Sequence, residues 1–392
     1  MITAWVLLAA AAGPAAQIRE ALFVPEPGPA PAVRVHGRFE AAPGVTAERI
    51  SFETLHGLRV PAILYRPERP RGRGPGLVVV NGHGGDQYSW YAFYTGVLYA
   101  WAGAAVLTYD PIGEGERNSA RQSGTRAHDR LIEPPETARR LAGLMITDLR
   151  QAVSVLAARP EVDPGRIGAM GYSMGSFVLA LGGAVEPRLR ACVLVGGGNL
   201  DDPDGYWDNS KPMCQGIPYR TLAFLGDRPA ALYALHAARG PTLIYNGLED
   251  TTVAIPRYGA GLFRELQKRV AALRGSADGV FETGFVAGVG HRPFFVTRPV
   301  ALWLERVLDF PNWTEAEIRV MPETHVGPWA KAAGVEMDPL YATEHREGGT
   351  RALGEGVPGL SREALSVFAP AEWEAEKKRL VYESWVAAVT AR

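Results

Sequence analysis

Cysteine is scarce in this chain of 392 residues, and its scarcity excludes several kinds of site. Only Cys192 and Cys214 are present. They cannot form a Cys-x-x-Cys redox or metal motif, and no disulfide is indicated because Cys192 lies in an apolar run typical of a buried strand. A His-Glu-x-x-His zinc motif, a Walker A loop and a dinucleotide-binding glycine fingerprint are also missing. The sequence therefore predicts no metal and no cofactor.

Net charge is almost absent too. The formal charge is −1 at pH 7, and the chain has no block of like charges. The arginine-rich stretch 66–73 is short and interrupted by proline, which is typical of a solvated loop. A chain without a positive field has no means of recruiting nucleic acid or an anionic membrane. We therefore expect no nucleic-acid partner.

Long hydrophobic runs are lacking as well. The apolar run 5–12 near the N-terminus is far shorter than the ~20 residues that a membrane-spanning helix needs. Small residues, 13–16, follow this run, so that residues 1–16 resemble a secretory signal peptide. We expect export to the periplasm or the medium. Because no Lys or Arg precedes the run, a cytoplasmic chain that begins with a packed helix is the alternative.

The rest of the sequence predicts an α/β protein. Residues 17–48 are rich in Pro and Ala without clear periodicity, and we interpret them as an arm that lies over the domain. Between 49 and 310, short apolar segments alternate with amphipathic ones, which predicts a mostly parallel twisted sheet with helices on both faces. The predicted strands are 50–54, 58–65, 75–80, 104–109, 167–171, 192–196, 242–245 and 280–286, and the predicted helices are 140–158, 177–185, 258–273 and 300–308.

Two segments do not fit the alternation. Residues 199–239 form a long connection between two strands that is rich in Asp, Pro, Tyr and Trp, and this favours a lid or cap insertion. Its Tyr206 and Trp207, together with Tyr172, are the residues that we expect to line a substrate pocket. Residues 311–392 form a C-terminal extension that begins irregularly and ends in a helical stretch, which we expect to pack on the main domain.

The strongest motif is Gly171-Tyr-Ser-Met-Gly175, which lies between a predicted strand and a predicted helix. A Gly-x-Ser-x-Gly sequence in this context is the signature of a nucleophile elbow. The tight turn holds the serine in a strained backbone conformation, and the flanking glycines prevent clashes with neighbouring elements. The motif predicts that Ser173 is the nucleophile of a hydrolase.

A serine nucleophile also needs donors for the negative charge that develops on the substrate's carbonyl oxygen. One donor is expected to be the backbone N–H of Met174, directly after the nucleophile, and the other to come from a loop after an earlier strand. The glycine-rich loop 81–85 follows the predicted strand 75–80. Within it, Gly85 is the first choice and Gly84 the second. His83 in the same loop is expected to brace it by hydrogen bonding.

The base and the acid should follow the serine in that order along the chain: serine, acid, histidine. Of the histidines after Ser173, only His291 comes directly after a predicted strand, so it is the predicted base. Asp250 follows the preceding strand and is the predicted acid. Glu249 is an alternative, and Asp201 and Asp202 are a further fallback. The segment 110–117, rich in Gly and acidic residues, matches no calcium loop and is interpreted as a structural turn beside the site.

The order of these motifs resembles that of bacterial α/β-hydrolases related to acetyl xylan esterases and dienelactone hydrolases. The resemblance spans about residues 49–310. It implies an α/β-hydrolase fold for this region, to which the sequence adds the lid insertion and the C-terminal helical extension described above. The resemblance also implies hydrolysis of a carboxylic ester through an acyl-enzyme, with deacetylation of sugars among the candidate reactions. It also implies a small-molecule or carbohydrate ester as the substrate.

This sequence departs from those families in two places. Dienelactone hydrolases proper carry a cysteine nucleophile where this chain has Ser173, and the acetyl xylan esterases carry Gln where it has Met174. Two other functions stay open. One is a serine exopeptidase or amidase of the prolyl-oligopeptidase type, and the other is a catalytically silent binding protein on the same fold.

Overall fold

A nine-stranded sheet forms the centre of the molecule. The computed structural model describes residues 13–129, 134–200, 214–337 and 350–390. The strands lie in the order β1-β2-β3-β5-β4-β6-β7-β8-β9. β1, β2, β3 and β5 pair in antiparallel fashion, and all pairs from β5 to β9 are parallel. The strands are β1 (Val33–Ala42), β2 (Val45–Glu53), β3 (Arg59–Pro67), β4 (Gly74–Val80), β5 (Ala105–Tyr109), β6 (Val162–Tyr172), β7 (Leu189–Val195), β8 (Thr242–Gly247) and β9 (Glu282–Val286).

Helices cover both faces of this sheet. Two apolar clusters result: one packs the sheet against α3, α4, α6 and α7, and the other packs it against α2 and α8. This arrangement confirms the predicted fold class, a mostly parallel sheet with helices on both faces. The helices are α1 (Pro14–Ala21), α2 (Trp90–Trp101), α3 (Pro135–Ala157), α4 (Met174–Val185), α5 (Gly216–Thr221), α6 (Arg228–Ala237), α7 (Ile255–Arg274), α8 (Arg298–Leu308), α9 (Glu315–Val320), α10 (Val326–Ala332), α11 (Arg362–Leu365), α12 (Pro370–Glu376) and α13 (Tyr382–Thr390).

The N-terminal segment differs from the predicted arm. Residues 33–42 form the edge strand β1, which pairs with β2. Most side chains of β1 are exposed or half-exposed, so the strand lacks the alternation that would have revealed it. In α1, Ile18 is fully buried, as is Leu22 just after it. The predicted signal-peptide boundary at Ala16 falls inside α1, and residues 1–12 of that prediction lie outside the described residues.

The described part of the predicted lid forms the connection between β7 and β8. α5 contacts α3, and α6 packs against α4 and α7. Tyr219 and Tyr233 are fully buried, and the Tyr233 hydroxyl donates to the carbonyl of Gly198 at 2.6 Å. These helices are therefore part of the core rather than a separate cap. Residues 201–213, which include Tyr206, Trp207 and the fallback acids Asp201 and Asp202, lie outside the described residues.

The C-terminal extension packs on the main domain through its aromatic residues. The first part of the segment, which was expected to be irregular, contains α9, α10 and a small antiparallel sheet, β10 (Glu323–His325) with β11 (Arg351–Leu353). The predicted terminal helix is divided into α12 and α13. Trp385 is fully buried, and the indole N–H of Trp373 donates to the carbonyl of Glu116 at 2.9 Å. The tail thus contacts the predicted structural turn 110–117.

Within the described ranges, no helix combines the length and apolar character needed to cross a membrane.

Candidate active site

The nucleophile elbow joins β6 to α4 at the carboxyl edge of the sheet. Ser173 stands between Tyr172, the last residue of β6, and Met174, the first residue of α4. Its φ of 56° and ψ of −119° are strained for a residue with a side chain. The N–H of Ser173 donates to the carbonyl of Val195 at 2.9 Å, and its carbonyl accepts the N–H of Phe177 at 3.2 Å. Backbone bonds to β7 and α4 therefore hold the strained turn in place.

The two glycines of the motif permit this turn because other backbone atoms occupy the space of a Cβ. A Cβ at Gly175 would lie 2.0 Å from the carbonyl oxygen of Val80, at the end of β4. A Cβ at Gly171 would lie 2.3 Å from the carbonyl oxygen of Gly175. Backbone cannot move aside as a flexible side chain can, so only glycine fits at either position. The elbow is thus packed directly against the neighbouring central strand.

The predicted base and acid are paired. The Nδ1 atom of His291 and the Oδ2 atom of Asp250 are 2.7 Å apart. Asp250 is fully buried, and its Oδ1 accepts the N–H groups of Thr252 at 3.1 Å and Val253 at 3.3 Å. These bonds fix the carboxylate, which in turn orients the imidazole. Glu249, the alternative acid, is exposed, so the geometry favours Asp250.

The imidazole of His291 lies beside the elbow. Its ring stacks on Tyr172, the residue before the nucleophile, with centroids 4.8 Å apart and planes tilted by 32°. A Cβ built at Gly196, after β7, would lie 2.7 Å from Cε1 of His291. Among the described residues no hydrogen bond joins the Ser173 hydroxyl to the imidazole. In free enzymes this bond is often long and tightens when substrate binds.

Tyr172 is placed differently from its predicted role in the substrate pocket. Only 1% of its surface is exposed. One side of the ring lies against His291, and its edges contact Tyr91 and Phe295. Its hydroxyl is 3.4 Å from the carbonyl oxygen of His291. The structure therefore makes Tyr172 a support for the imidazole and leaves little of its surface for a substrate.

The N–H groups of the predicted oxyanion donors differ in what they contact in the structure. The N–H of Met174 is the first of α4, where helix geometry supplies no intrahelical acceptor. The N–H of Gly85, in contrast, donates to the carbonyl of Gly82 at 3.1 Å. The N–H of Gly84 donates to Oε1 of Glu114 at 3.1 Å. Both glycine amides donate to acceptors inside the protein in this conformation, and the roles of Gly85 and Gly84 as donors stay predictions.

The part of the loop that faces the nucleophile is Gly82. A Cβ there would lie 2.8 Å from Cβ of Ser173 and 2.7 Å from the carbonyl oxygen of Tyr172. The loop 81–85 therefore approaches Ser173 at Gly82 and turns away at Gly84. Sequence reasoning missed this because a run of glycines shows where backbone can approach a substrate but not which amide points at it.

Buried carboxylates hold the loop and the turn 110–117 together. Glu114 accepts the N–H of Gly84 through one oxygen and the N–H of Gly124, at 2.7 Å, through the other. Asp110 accepts the N–H groups of Gln87 at 2.8 Å and Glu116 at 2.7 Å. All of these bonds agree with the interpretation of 110–117 as a structural turn.

Burial changes the acidity of the carboxyl groups in this turn. Burial raises the pKa of Glu114 to about 7. Burial, reinforced by the nearby Asp86 and Glu116, raises the pKa of Asp110 well above its usual range. Glu114 therefore changes its charge near neutral pH while it holds the loop beside the nucleophile.

Three possible metal ligands also meet at this edge of the sheet. His83, His128 and Cys214 each offer one ligand atom, and these three atoms lie within 4.8 Å of one another. No metal had been predicted, because the three residues are separated by long stretches of chain and form no spacing motif. The signal that could have found them is that each follows a different parallel strand, β4, β5 or β7, at the same edge.

Comparison with known proteins agrees with this architecture. Residues 33–195 match the family model described as acetyl xylan esterase (AXE1). The solved structure of methylesterase BT1017 has a TM-score of 0.56 and 19% identity, with 96% of this chain and 72% of that one covered. The glucuronoyl esterase from Solibacter usitatus has a TM-score of 0.54 and 13% identity, with 76% and 92% covered.

This chain has the α/β-hydrolase fold. The predicted resemblance to acetyl xylan esterases and related α/β-hydrolases is confirmed, and the family match covers the first seven strands together with the loop 81–85 and the elbow. Among curated proteins, a thiohydrolase, apmlB, from Arthrinium phaeospermum is 28% identical over 156 residues, which are 38% of this chain and 42% of that protein. The chain spans about half the length, or less, of the curated relatives it matches.

Proposed function

We propose that this protein is a serine esterase that hydrolyses carboxylic esters with Ser173 as nucleophile, His291 as base and Asp250 as acid. The observation that carries the proposal is the 2.7 Å contact between His291 and Asp250 beside the elbow. A buried carboxylate at Nδ1 directs the Nε2 atom of the imidazole away from the acid. Nε2 is then the atom available to remove a proton from a serine hydroxyl.

The reaction proceeds in two steps. Oγ of Ser173 attacks the ester carbonyl carbon while Nε2 of His291 takes the hydroxyl proton. The C–O bond to the leaving alcohol breaks, and His291 returns the proton to that alcohol, which leaves an acyl-enzyme on Ser173. Water then gives a proton to His291 and attacks the acyl carbon. Collapse releases the carboxylic acid, and Ser173 recovers its proton.

The negative charge on the carbonyl oxygen is stabilised by two backbone amides in this proposal. The first is the N–H of Met174 at the start of α4. The second is the N–H of His83, because the loop contacts the nucleophile at the preceding residue, Gly82, and the amides of Gly84 and Gly85 are held by other acceptors. Each such donor contributes about 3 to 4 kcal/mol to the lowering of the barrier.

A small acyl group such as acetate is the proposed specificity. The support is the match of residues 33–195 to the acetyl xylan esterase family, since this region contains both Ser173 and the loop 81–85. The alcohol part of the substrate is proposed to be a small molecule or a carbohydrate. We also propose export of the protein, on the strength of the apolar run 5–12, and intact-mass analysis of protein from the medium or periplasm would test it.

The test is hydrolysis of p-nitrophenyl esters from acetate to octanoate by the wild type and by Ser173→Ala. We expect the acetate to react fastest, and a loss of about 10⁵-fold or more in kcat for the variant, because the acyl-enzyme can no longer form. Ser276→Ala, which removes a hydroxyl on a distant loop, serves as the matched control and should keep wild-type rates.

Three results would contradict the proposal. Wild-type rates in Ser173→Ala would exclude this serine as the nucleophile. If the wild type cleaved aminoacyl-p-nitroanilides but none of the esters, the chain would be an amidase or exopeptidase, and if it cleaved neither, a silent binding protein.

A further inference from the structure

The three residues His83, His128 and Cys214 come together from separate parts of the chain. His83 belongs to the loop after β4, His128 to a short 3₁₀ turn (Ala127–Asp129) after β5, and Cys214 to the segment just before α5. Nε2 of His83 lies 3.4 Å from Sγ of Cys214. The rings of His83 and His128 stack with centroids 5.0 Å apart and planes only 11° from parallel. We call these three residues the His83 cluster.

The spacing within the His83 cluster suits a tetrahedral metal ion. With zinc–nitrogen bonds of about 2.1 Å and zinc–sulfur bonds of about 2.3 Å, tetrahedral angles put the nitrogen and sulfur atoms about 3.6 Å apart. The observed 3.4 Å between His83 and Cys214 is close to that value. The three ligand atoms lie within 4.8 Å of one another, so the widest-spaced pair would move about 1 Å closer to bind one ion.

Burial and charge at the cluster also favour a cation. His128 is fully buried and Cys214 is 3% exposed, whereas His83 is half-buried, so one side of the cluster is accessible. Gly113 lies against the His128 ring, since a Cβ there would be 3.1 Å from Nδ1. The next residue is Glu114, whose carboxylate also binds the N–H next to His83. A thiolate and this carboxylate would together offset the charge of a divalent ion.

We propose that the His83 cluster is a zinc site that links the loop beside the nucleophile to the start of α5. Two imidazoles and one thiolate are donors that zinc prefers, and the fourth position is left for water. The Cys214 thiol would lose its proton to solvent when zinc binds, because the thiolate is the ligand. The zinc proposal does not depend on Ser173, His291 or Asp250. A failed test of zinc binding would therefore leave the proposed esterase activity unchanged, and the reverse also holds.

Cys192 provides a natural control. It lies in β7, 5% exposed, in an apolar cluster, and burial raises the pKa of its thiol to about 12. A thiol of this kind stays protonated at neutral pH and does not bind zinc. The Cys192→Ser variant therefore tests whether the loss of a cysteine that has no imidazole neighbours changes the amount of zinc that the protein retains.

The experiment compares the full-length wild type, Cys214→Ser and Cys192→Ser. Each protein is incubated with zinc chloride, separated from free metal by gel filtration, and analysed for zinc and copper by plasma mass spectrometry. We expect one zinc per chain in the wild type and in Cys192→Ser, and a loss of about tenfold or more in Cys214→Ser, since one missing ligand weakens a three-ligand site severely. Zinc should also raise the melting temperature of the wild type but not that of Cys214→Ser.

A second measurement needs no variant. Replacing zinc with Co²⁺ in the wild type should produce a thiolate-to-cobalt charge-transfer band and the intense visible bands of tetrahedral cobalt. The proposal is overturned if the wild type retains no zinc and gives no such band, or if Cys214→Ser retains as much zinc as the wild type. Retention of copper in place of zinc would overturn the assignment of the metal.

Discussion

The nucleophile elbow and the loop 81–85 lie side by side but are held in different ways. The elbow is fixed by contacts between backbone atoms, with Gly175 packed against the carbonyl of Val80. The loop is fixed by a buried carboxylate, because Glu114 binds the amide of Gly84. Backbone packing does not depend on pH, whereas the charge of Glu114 does. The two halves of the site should therefore respond differently to substitution and to pH.

The pairing of His291 with Asp250 extends this comparison. Like the loop, the imidazole is held by a buried carboxylate rather than by backbone packing. Asp250, however, accepts the N–H groups of Thr252 and Val253, which follow it closely in the chain. Two buried carboxylates thus have different contacts at this edge of the sheet: Asp250 binds the imidazole of His291, and Glu114 binds the backbone of the loop.

After Ser173→Ala, the largest effect is expected from Asp250→Asn. An amide in place of the carboxylate can present an N–H to Nδ1 and so favour the wrong imidazole tautomer, which should lower kcat by about 10⁴-fold on p-nitrophenyl acetate. The matched control is Glu249→Gln, which changes the neighbouring exposed carboxylate in the same way. Equal losses in both variants, or a loss only in Glu249→Gln, would show that Asp250 is not the acid.

A large effect on stability is expected from Gly175→Ala. The new Cβ would lie 2.0 Å from the carbonyl oxygen of Val80, so we expect the free energy of unfolding in urea to fall by more than the ~3 kcal/mol usual for overpacking. Gly261→Ala is the control: it lies in α7, and its Cβ would meet only a distal atom of Arg264, at 3.9 Å. That variant should be as stable as the wild type or slightly more stable. A folded Gly175→Ala with wild-type stability would disprove the proposed packing of the elbow.

A smaller, pH-dependent effect is expected from Glu114→Gln. The pKa of Glu114 is raised from 4.5 to about 7 in the folded protein, so the folded state holds the proton more tightly than the unfolded state. This group's stabilising contribution is complete below about pH 4.5 and is lost as the pH rises through about 7. The loss amounts to about 3 kcal/mol.

The measurement is urea unfolding at pH 5 and pH 8. Between these values the wild type should lose about 2 to 3 kcal/mol more stability than Glu114→Gln, which carries no titrating group at this position. Glu68→Gln, at an exposed site, should behave like the wild type. If Glu114→Gln kept the full pH dependence, the loop would not be held by a titrating carboxylate.

The features fixed by local backbone geometry could be predicted from the sequence, whereas those fixed by side chains from distant parts of the chain could not. The elbow was predictable because its geometry depends on steric rules that any Gly-x-Ser-x-Gly turn between a strand and a helix obeys. The sheet was predictable from Ile50 onward. The predicted strands 50–54 and 58–65 overlap β2 and β3, and buried parallel strands such as β4 are continuous apolar runs. The edge strand β1 was not, since its exposed side chains show no alternation.

The loop donors and the His83 cluster depend on contacts between distant parts of the chain. Nothing in the sequence near Gly84 indicates that Glu114, thirty residues away, will bind its amide. Likewise, nothing in the sequence around His128 and Cys214 indicates that they lie near His83, because only the folded sheet brings the three loops to one edge. Tyr172 is predicted to line the pocket because it is aromatic, but in the structure its ring lies against His291.

The central claim, that Ser173 is an activated nucleophile, is tested most directly by labelling with a fluorophosphonate followed by peptide mass spectrometry. The account predicts one adduct per chain, located on Ser173 and absent when the protein is unfolded before labelling, because reactivity requires the folded arrangement with His291. An adduct on another residue, or no adduct on the folded wild type, would contradict it.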